Sequence, residues 1–136
     1  MKEKLFLVYG EESYLINKKI EEIINNEPSI IYDMETMLFN DVKEDLLSYS
    51  LFYDKKVIVC KNCNFLTSSN DNKENLDTLG EVLKNDFDNK LILSVQSKID
   101  ERKKVIKELM RLGSVYVFNK LNEVETIKFI SNEFDR

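Results

Sequence analysis

Apolar positions in this chain form short runs, separated by stretches whose apolar residues recur at helical spacing. Lys4 to Val8 reads as a buried strand running into Tyr9-Gly10, and Ile16, Ile20, Ile23 and Ile24 then line one face of a helix. The turn Asn25-Asn26-Glu27-Pro28 leads into a short second strand, Ser29 to Tyr32. Asp41 to Tyr49 predicts a short helix with Asp41 near its cap and Val42, Leu46 and Leu47 inward. Lys56 to Cys60 is a β-branched third strand. The polar stretch Thr67 to Lys73 lacks periodicity and predicts a mobile loop, followed by a helix with Leu76, Leu79 and Leu83 on one side. Lys90 to Val95 is a fourth strand. A helix from Asp100 to Leu112 carries Val105, Ile106, Leu109 and Met110, with Asp100 as N-cap and Gly113 just past its end. Ser114 to Phe118 is a fifth strand, and a last helix from about Asn122 buries Val124, Ile127, Ile130 and Phe134.

Strands alternating with helices predict right-handed crossovers and a parallel sheet covered on both faces. The expected architecture is a five-stranded, mostly parallel α/β sheet sandwiched by helices, in one domain spanning residues 1–136. A chain that stops directly after a helix is expected to be the first domain of a longer protein.

Composition narrows the function more than the fold. Apolar residues make up 43% of the chain, and the net charge is −5, so the domain as a whole is a poor grip on DNA or an anionic membrane. No run of about 20 apolar residues occurs and the N-terminus enters a strand directly, so the expectation is a soluble, cytoplasmic protein. Histidine is absent, which rules out Ser-His and Cys-His nucleophile pairs within the chain.

The junction after the first strand is where a nucleotide-binding loop would sit. A phosphate loop needs G-x-x-x-x-G-K-[S/T], whereas Gly10 is followed by Glu11-Glu12-Ser13-Tyr14-Leu15-Ile16. Two carboxylates at a helix N-terminus suit its dipole and repel a triphosphate. In nucleotide hydrolases of this architecture the third strand ends in an acidic pair that holds Mg²⁺. Here Val57-Ile58-Val59-Cys60 runs into Lys61-Asn62. Two separate parts of an ATP site are therefore missing. An unrelated α/β fold that never had them gives the same pattern.

Three further features have a bland and a sharp reading. Cys60 and Cys63, the only cysteines, have C-x-x-C spacing but too few companions for a structural zinc. They read as one buried strand cysteine and one incidental neighbour. Lys98, Arg102, Lys103, Lys104, Lys107 and Arg111 make one helix basic, with Lys103, Lys107 and Arg111 on one face. A solvated face diluted by Glu101 and Glu108 explains this more readily than a phosphate or acidic contact. Ser50-Leu51-Phe52-Tyr53-Asp54-Lys55 is less ordinary, because Leu51 and Phe52 stand side by side where a polar turn is expected. Either both fold back into the core or at least one is an exposed anchor for a partner.

The N-terminal run Phe6 to Leu15 is followed by Tyr32-Asp33, Ser50-Leu51-Phe52, Asp54 to Val59, Asn62 and the run Lys98-Ile99-Asp100-Glu101-Arg102-Lys103-Lys104. In this order and spacing they resemble the delta subunit of bacterial DNA polymerase III, a clamp-loader component. The resemblance implies a P-loop NTPase or AAA+-like domain with a degenerate nucleotide site, no ATP hydrolysis of its own and no cofactor. It implies that Leu51 and Phe52, beside Ser50, are a hydrophobic wedge for a pocket on the sliding clamp (the beta subunit), holding the ring open. Other clamp-loader subunits would be partners of a longer chain, and DNA would be touched only indirectly or weakly. The helical lid and collar of that family do not fit within these residues.

Competing classes remain at this point. A phosphoacceptor receiver shares the plan, with Glu11-Glu12 and Lys120 in suggestive places, but lacks an aspartate where Cys60-Lys61 stands. A dithiol oxidoreductase would need a low thiolate pKa at Cys60 or Cys63. A protein-binding module derived from an inactive ATPase is the third.

Overall fold

The computed structural model describes residues 3–47, 56–68, 73–85 and 87–119. Among them are five strands, β1 (Leu5–Gly10), β2 (Ser29–Asp33), β3 (Val57–Lys61), β4 (Lys90–Val95) and β5 (Ser114–Phe118). They alternate with α1 (Ser13–Ile24), α2 (Phe39–Leu47), α3 (Lys73–Leu83) and α4 (Lys104–Leu112), plus a single 3-10 turn at Asn64–Leu66. The strands lie in the order β2-β3-β4-β1-β5, and every pairing is parallel.

This order explains how the helices are shared between the faces. The β1-to-β2 crossover runs across the sheet in one direction, and the next three crossovers return in the other. Right-handed crossovers then place α1 on one face and α2, α3 and α4 on the opposite one. The core divides accordingly. Val8, Val57, Val59, Ile92 and Phe118 pack with Ile16, Ile20 and Ile24 of α1. Leu5, Leu7, Ile58, Cys60, Leu91 and Leu93 alternate to the other face and meet Phe39, Val42, Leu46, Leu79, Val82, Ile106 and Leu109. Each fully buried Leu or Ile contributes about 1.5–3 kcal/mol of apolar transfer energy, which drives the layering.

Several boundaries differ from the sequence expectation. Helix α2 begins at Phe39, so Asp41 sits in its first turn and is not the cap. The Phe39 amide donates to Asn75 Oδ1 at 2.9 Å, a buried cap supplied by α3. Helix α4 begins at Lys104, and Asp100 instead anchors the preceding turn, accepting from the Arg102 amide at 3.1 Å. Gly113 follows α4 in extended geometry (φ −101°), not in the left-handed region. It is needed for space, since a Cβ there would lie 3.0 Å from the Leu5 carbonyl oxygen.

Of the expected loop Thr67 to Lys73, residues 69–72 lie outside the described residues. Thr67 is buried, its hydroxyl donates to the Asn64 carbonyl at 2.8 Å, and Lys73 already belongs to α3. Phe65 and Leu66 are core residues, with the Phe65 ring 5.6 Å from that of Phe39. The expected helix from Asn122 lies outside the described residues.

Candidate functional site at the two ends of the sheet

At the carboxyl end, β1 passes into α1 through Glu11 and Glu12 alone. Gly10 has φ +138°, and a Cβ on it would lie 2.2 Å from the Phe118 carbonyl oxygen. Glycine is required because the loop closes directly onto β5. The amides of Glu11 and Glu12 both donate to that carbonyl, at 2.8 and 2.9 Å. Loop amides of this kind cradle phosphate in a nucleotide site. Here a backbone oxygen of the same chain occupies both.

The third strand ends at Lys61, whose carbonyl accepts from the Met34 amide at 2.9 Å. Asn62 takes up a left-handed conformation (φ 60°) and donates its side-chain amide to Asp33 Oδ1 at 3.0 Å. That bond and the Glu35 amide hold the exposed Asp33 carboxyl below its usual range. The corner that would hold a metal ion is occupied by a β2–β3 clasp.

Cys60 and Cys63 are both buried, so the second is a core residue as well as the first. The Cys63 amide donates to the Ser94 carbonyl at 3.0 Å and its thiol to the Cys60 carbonyl at 3.3 Å. Burial pushes the Cys63 thiol up to about 12, and burial followed by the neighbouring Cys63 pushes Cys60 well above its ordinary value. A reactive dithiol needs the opposite shift. No cluster of metal-ligating side chains occurs among the described residues.

The basic helix is partly neutralised locally. Arg102 grips Asp100 through two nitrogens at 2.9 and 3.2 Å, Arg111 pairs with Glu108, and Lys103 donates to the Thr67 carbonyl at 3.0 Å.

At the amino end, α2 leads through residues 48–55 to Lys56 and β3. Ser50, Leu51 and Phe52 lie in that segment, outside the described residues, but both of its attachments are well defined. Asp45 of α2 flanks the inward stripe Phe39, Val42 and Leu46. Its carboxylate accepts from the Lys56 ammonium at 2.7 Å and from the Tyr32 hydroxyl at 2.6 Å. Lys56 also donates its amide to Asn89 Oδ1 at 3.1 Å. The Asn89 side-chain nitrogen lies 3.5 Å from the Leu46 carbonyl, at the limit of a hydrogen bond. Burial alone would raise the Asp45 carboxyl, but the bonds from Lys56 and Tyr32 together hold it below its usual range. Burial and the Asp45 bond push Tyr32 up to about 12. Asp45 itself carries no sequence signal beyond its place beside the apolar stripe, and reasoning on the sequence missed it.

The family model described as DNA polymerase III, delta subunit, matches residues 6–120. The chain belongs to that family. Among curated relatives, the DNA polymerase III subunit delta of Bacillus subtilis (strain 168) is 26% identical over 146 aligned positions, covering 94% of this chain. The chain spans 41% of the length of that relative. A solved structure, the DNA clamp loader delta protein of Bacillus subtilis, shares the fold with a TM-score of 0.73. It is 22% identical, over 94% of this chain and 42% of that one. Within this delta-family domain, Tyr32 and Lys56 meet on Asp45, and Asp33 meets Asn62. Four residues that carried the resemblance in sequence thus pair in space.

Proposed function

We propose that residues 1–136 are the clamp-binding domain of a clamp-loader delta subunit, which opens the sliding clamp without hydrolysing ATP. The observation that carries this reading is the closed β1–α1 corner in a chain of this family. Two amides that would face a phosphate are spent on the Phe118 carbonyl, and two carboxylates stand beside them. Such a corner supports a domain that works by binding, with ATP handled by other clamp-loader subunits.

Leu51 and Phe52, with Ser50, are the residues assigned to the clamp. They belong to a connection that starts and ends at the amino edge of the sheet, away from the closed corner. Burying one Leu and one Phe in a clamp pocket contributes about 3–6 kcal/mol before association costs. If that pocket is better formed when the ring interface is open, binding shifts the ring toward the open state by the difference in affinity. No covalent chemistry is asked of this chain. The paired Arg102, Lys103 and Arg111 leave DNA contact secondary, and a cytoplasmic replication protein is the setting that fits. No helix among the described residues is long and apolar enough to cross a membrane.

The test is binding of the chain to the beta sliding clamp, beside a Leu51→Ala/Phe52→Ala variant. Loss of at least about a hundredfold in affinity, with an unchanged unfolding midpoint, is expected for two anchors of this kind. Equal binding by the folded variant would overturn the assignment of this segment.

A further inference from the structure

The two edge strands of the sheet are finished differently. No residue of β5 is exposed, whereas every residue of β2 except Tyr32 is. Ile31 is 54% and Ile30 37% exposed. Ile31 lies beside Val59 of β3, and Val59 packs under α1. Among the described residues, the apolar layer of α1 takes in Val57 and Val59 but no residue of β2. That layer stops one strand short of the edge and leaves Ile31 open.

The backbone of β2 is open on the same side. At its two ends the Val57 amide donates to the Pro28 carbonyl at 2.8 Å, and the Met34 amide to the Lys61 carbonyl at 2.9 Å. A strand pairs with one neighbour through alternate residues, so Pro28, Ile30, Tyr32 and Met34 turn their backbone groups to β3. Ser29, Ile31 and Asp33 turn theirs outward, and only the Asp33 carbonyl is taken, by the Thr36 amide at 3.2 Å. Proteins blunt such edges with lysine, proline or a bulge. Ser29-Ile30-Ile31-Tyr32-Asp33 has no lysine or proline, and its register with β3 is unbroken.

Charge says what fits there. Exposed Glu27 precedes the strand, and exposed Asp33 and Glu35 end and follow it. Glu27 pairs with Lys90 at 3.1 Å, but the Asp33 carboxylate takes uncharged donors, the Asn62 side chain and the Glu35 amide. We propose that β2 accepts an extended, basic segment of another protein as an added strand, with apolar side chains against Ile31 and lysine or arginine near Asp33 and Glu35. This surface is separate from the clamp contact and does not depend on it. A second copy of the chain fits poorly. Antiparallel pairing centred on Ile31 sets Glu27 of one copy opposite Glu35 of the other, and like charges facing across strands are destabilising. The net charge of −5 on each copy adds to the repulsion.

The test is titration of the whole chain with the peptide acetyl-Lys-Val-Lys-Val-Lys-Val-Lys-amide. Two controls are the same peptide N-methylated throughout, which keeps its charge and loses its donors, and a version with glutamate for lysine. The lysine peptide should bind, and Ile31→Lys or N-methylation should each weaken binding by at least about tenfold. Amide exchange should slow at Ser29 and Ile31 and change far less at Ile30 and Tyr32, which already bond to β3. Absence of binding, equal binding of either control peptide, or unchanged exchange at Ile31 would overturn the proposal. So would a chain that sediments as a dimer and becomes a monomer in Ile31→Lys, which would assign the edge to a second copy. If Ile31→Lys fails to fold, the N-methylated peptide on the wild-type chain decides the same point.

Discussion

The two ends of this parallel sheet are built on opposite terms. At the carboxyl end, where open α/β sheets usually bind ligands, backbone and side-chain polar groups are spent on one another. Glu11 and Glu12 donate to Phe118, and Asn62 clasps Asp33. At the amino end, an ion pair and an asparagine hold the two ends of the connection that contains Leu51 and Phe52. A fold can thus close its customary site, and the clamp contact proposed above then falls to a connection at the other edge. The strand order need not change for that to happen, since function resides in sites carried by the fold.

The comparison is broken most severely at Gly10. Gly10→Ala puts a Cβ against the Phe118 carbonyl at a φ that alanine avoids. It should destabilise the chain by about 3 kcal/mol or more, measured by urea unfolding. A smaller loss would mean that the corner can open, and with it room for a ligand.

Next comes the helix that joins the two ends. Asn75→Ala removes the acceptor for the buried Phe39 amide and should cost about 1–3 kcal/mol in the same assay. A loss confined to a few tenths would show that α2 holds its place without a tertiary cap.

The amino-end network predicts a smaller, pH-dependent effect. Asp45 is held below its unfolded value, so its contribution is present above about pH 4 and fades as pH falls through the folded value. Asp45→Asn should cost about 1 kcal/mol at neutral pH, and the difference from wild type should shrink on acidification as the carboxyl protonates. Tyr32 works in the other direction. Its folded value is raised to about 12, so its share is full below its unfolded value near 10 and is lost as pH rises between the two. A difference independent of pH would place the stabilising contact elsewhere.

The smallest expected effect sharpens the comparison from the other side. Mg²⁺ and ATP at millimolar concentration should leave the unfolding midpoint unmoved, because a ligand stabilises only a state that binds it. A rise in the midpoint would reopen the carboxyl end as a nucleotide site.

Much of this molecule is legible in its sequence. Strands β4 and β5 match the expected Lys90–Val95 and Ser114–Phe118, and β1 to β3 match within two residues at each boundary. Apolar runs and helical spacing are local signals, read off a few neighbours in the chain. The missing phosphate loop is equally local, being an absence of glycines and of Lys-Ser or Lys-Thr. The starts of α2 and α4 differ from expectation because they are set by tertiary contacts and turn chemistry. Asn75 caps α2 from another helix, and Asp100 uses its carboxylate on Arg102 instead of the first turn of α4. Phe65, Leu66 and Cys63 fall in none of the expected elements and are core, since a short 3-10 turn has no periodicity to betray it.

Sequence alone therefore determined the alternation of elements, the parallel α/β plan, the family and the absence of a phosphate-loop motif after β1. Tertiary structure decided which backbone oxygen fills the retired corner. It also decided that Asp45 joins Tyr32 to Lys56 across three elements. Those partners are separated by 13 and 11 residues along the chain. Their meeting depends on the crossover that lays α2 over β2 and β3, and no local pattern encodes that distance.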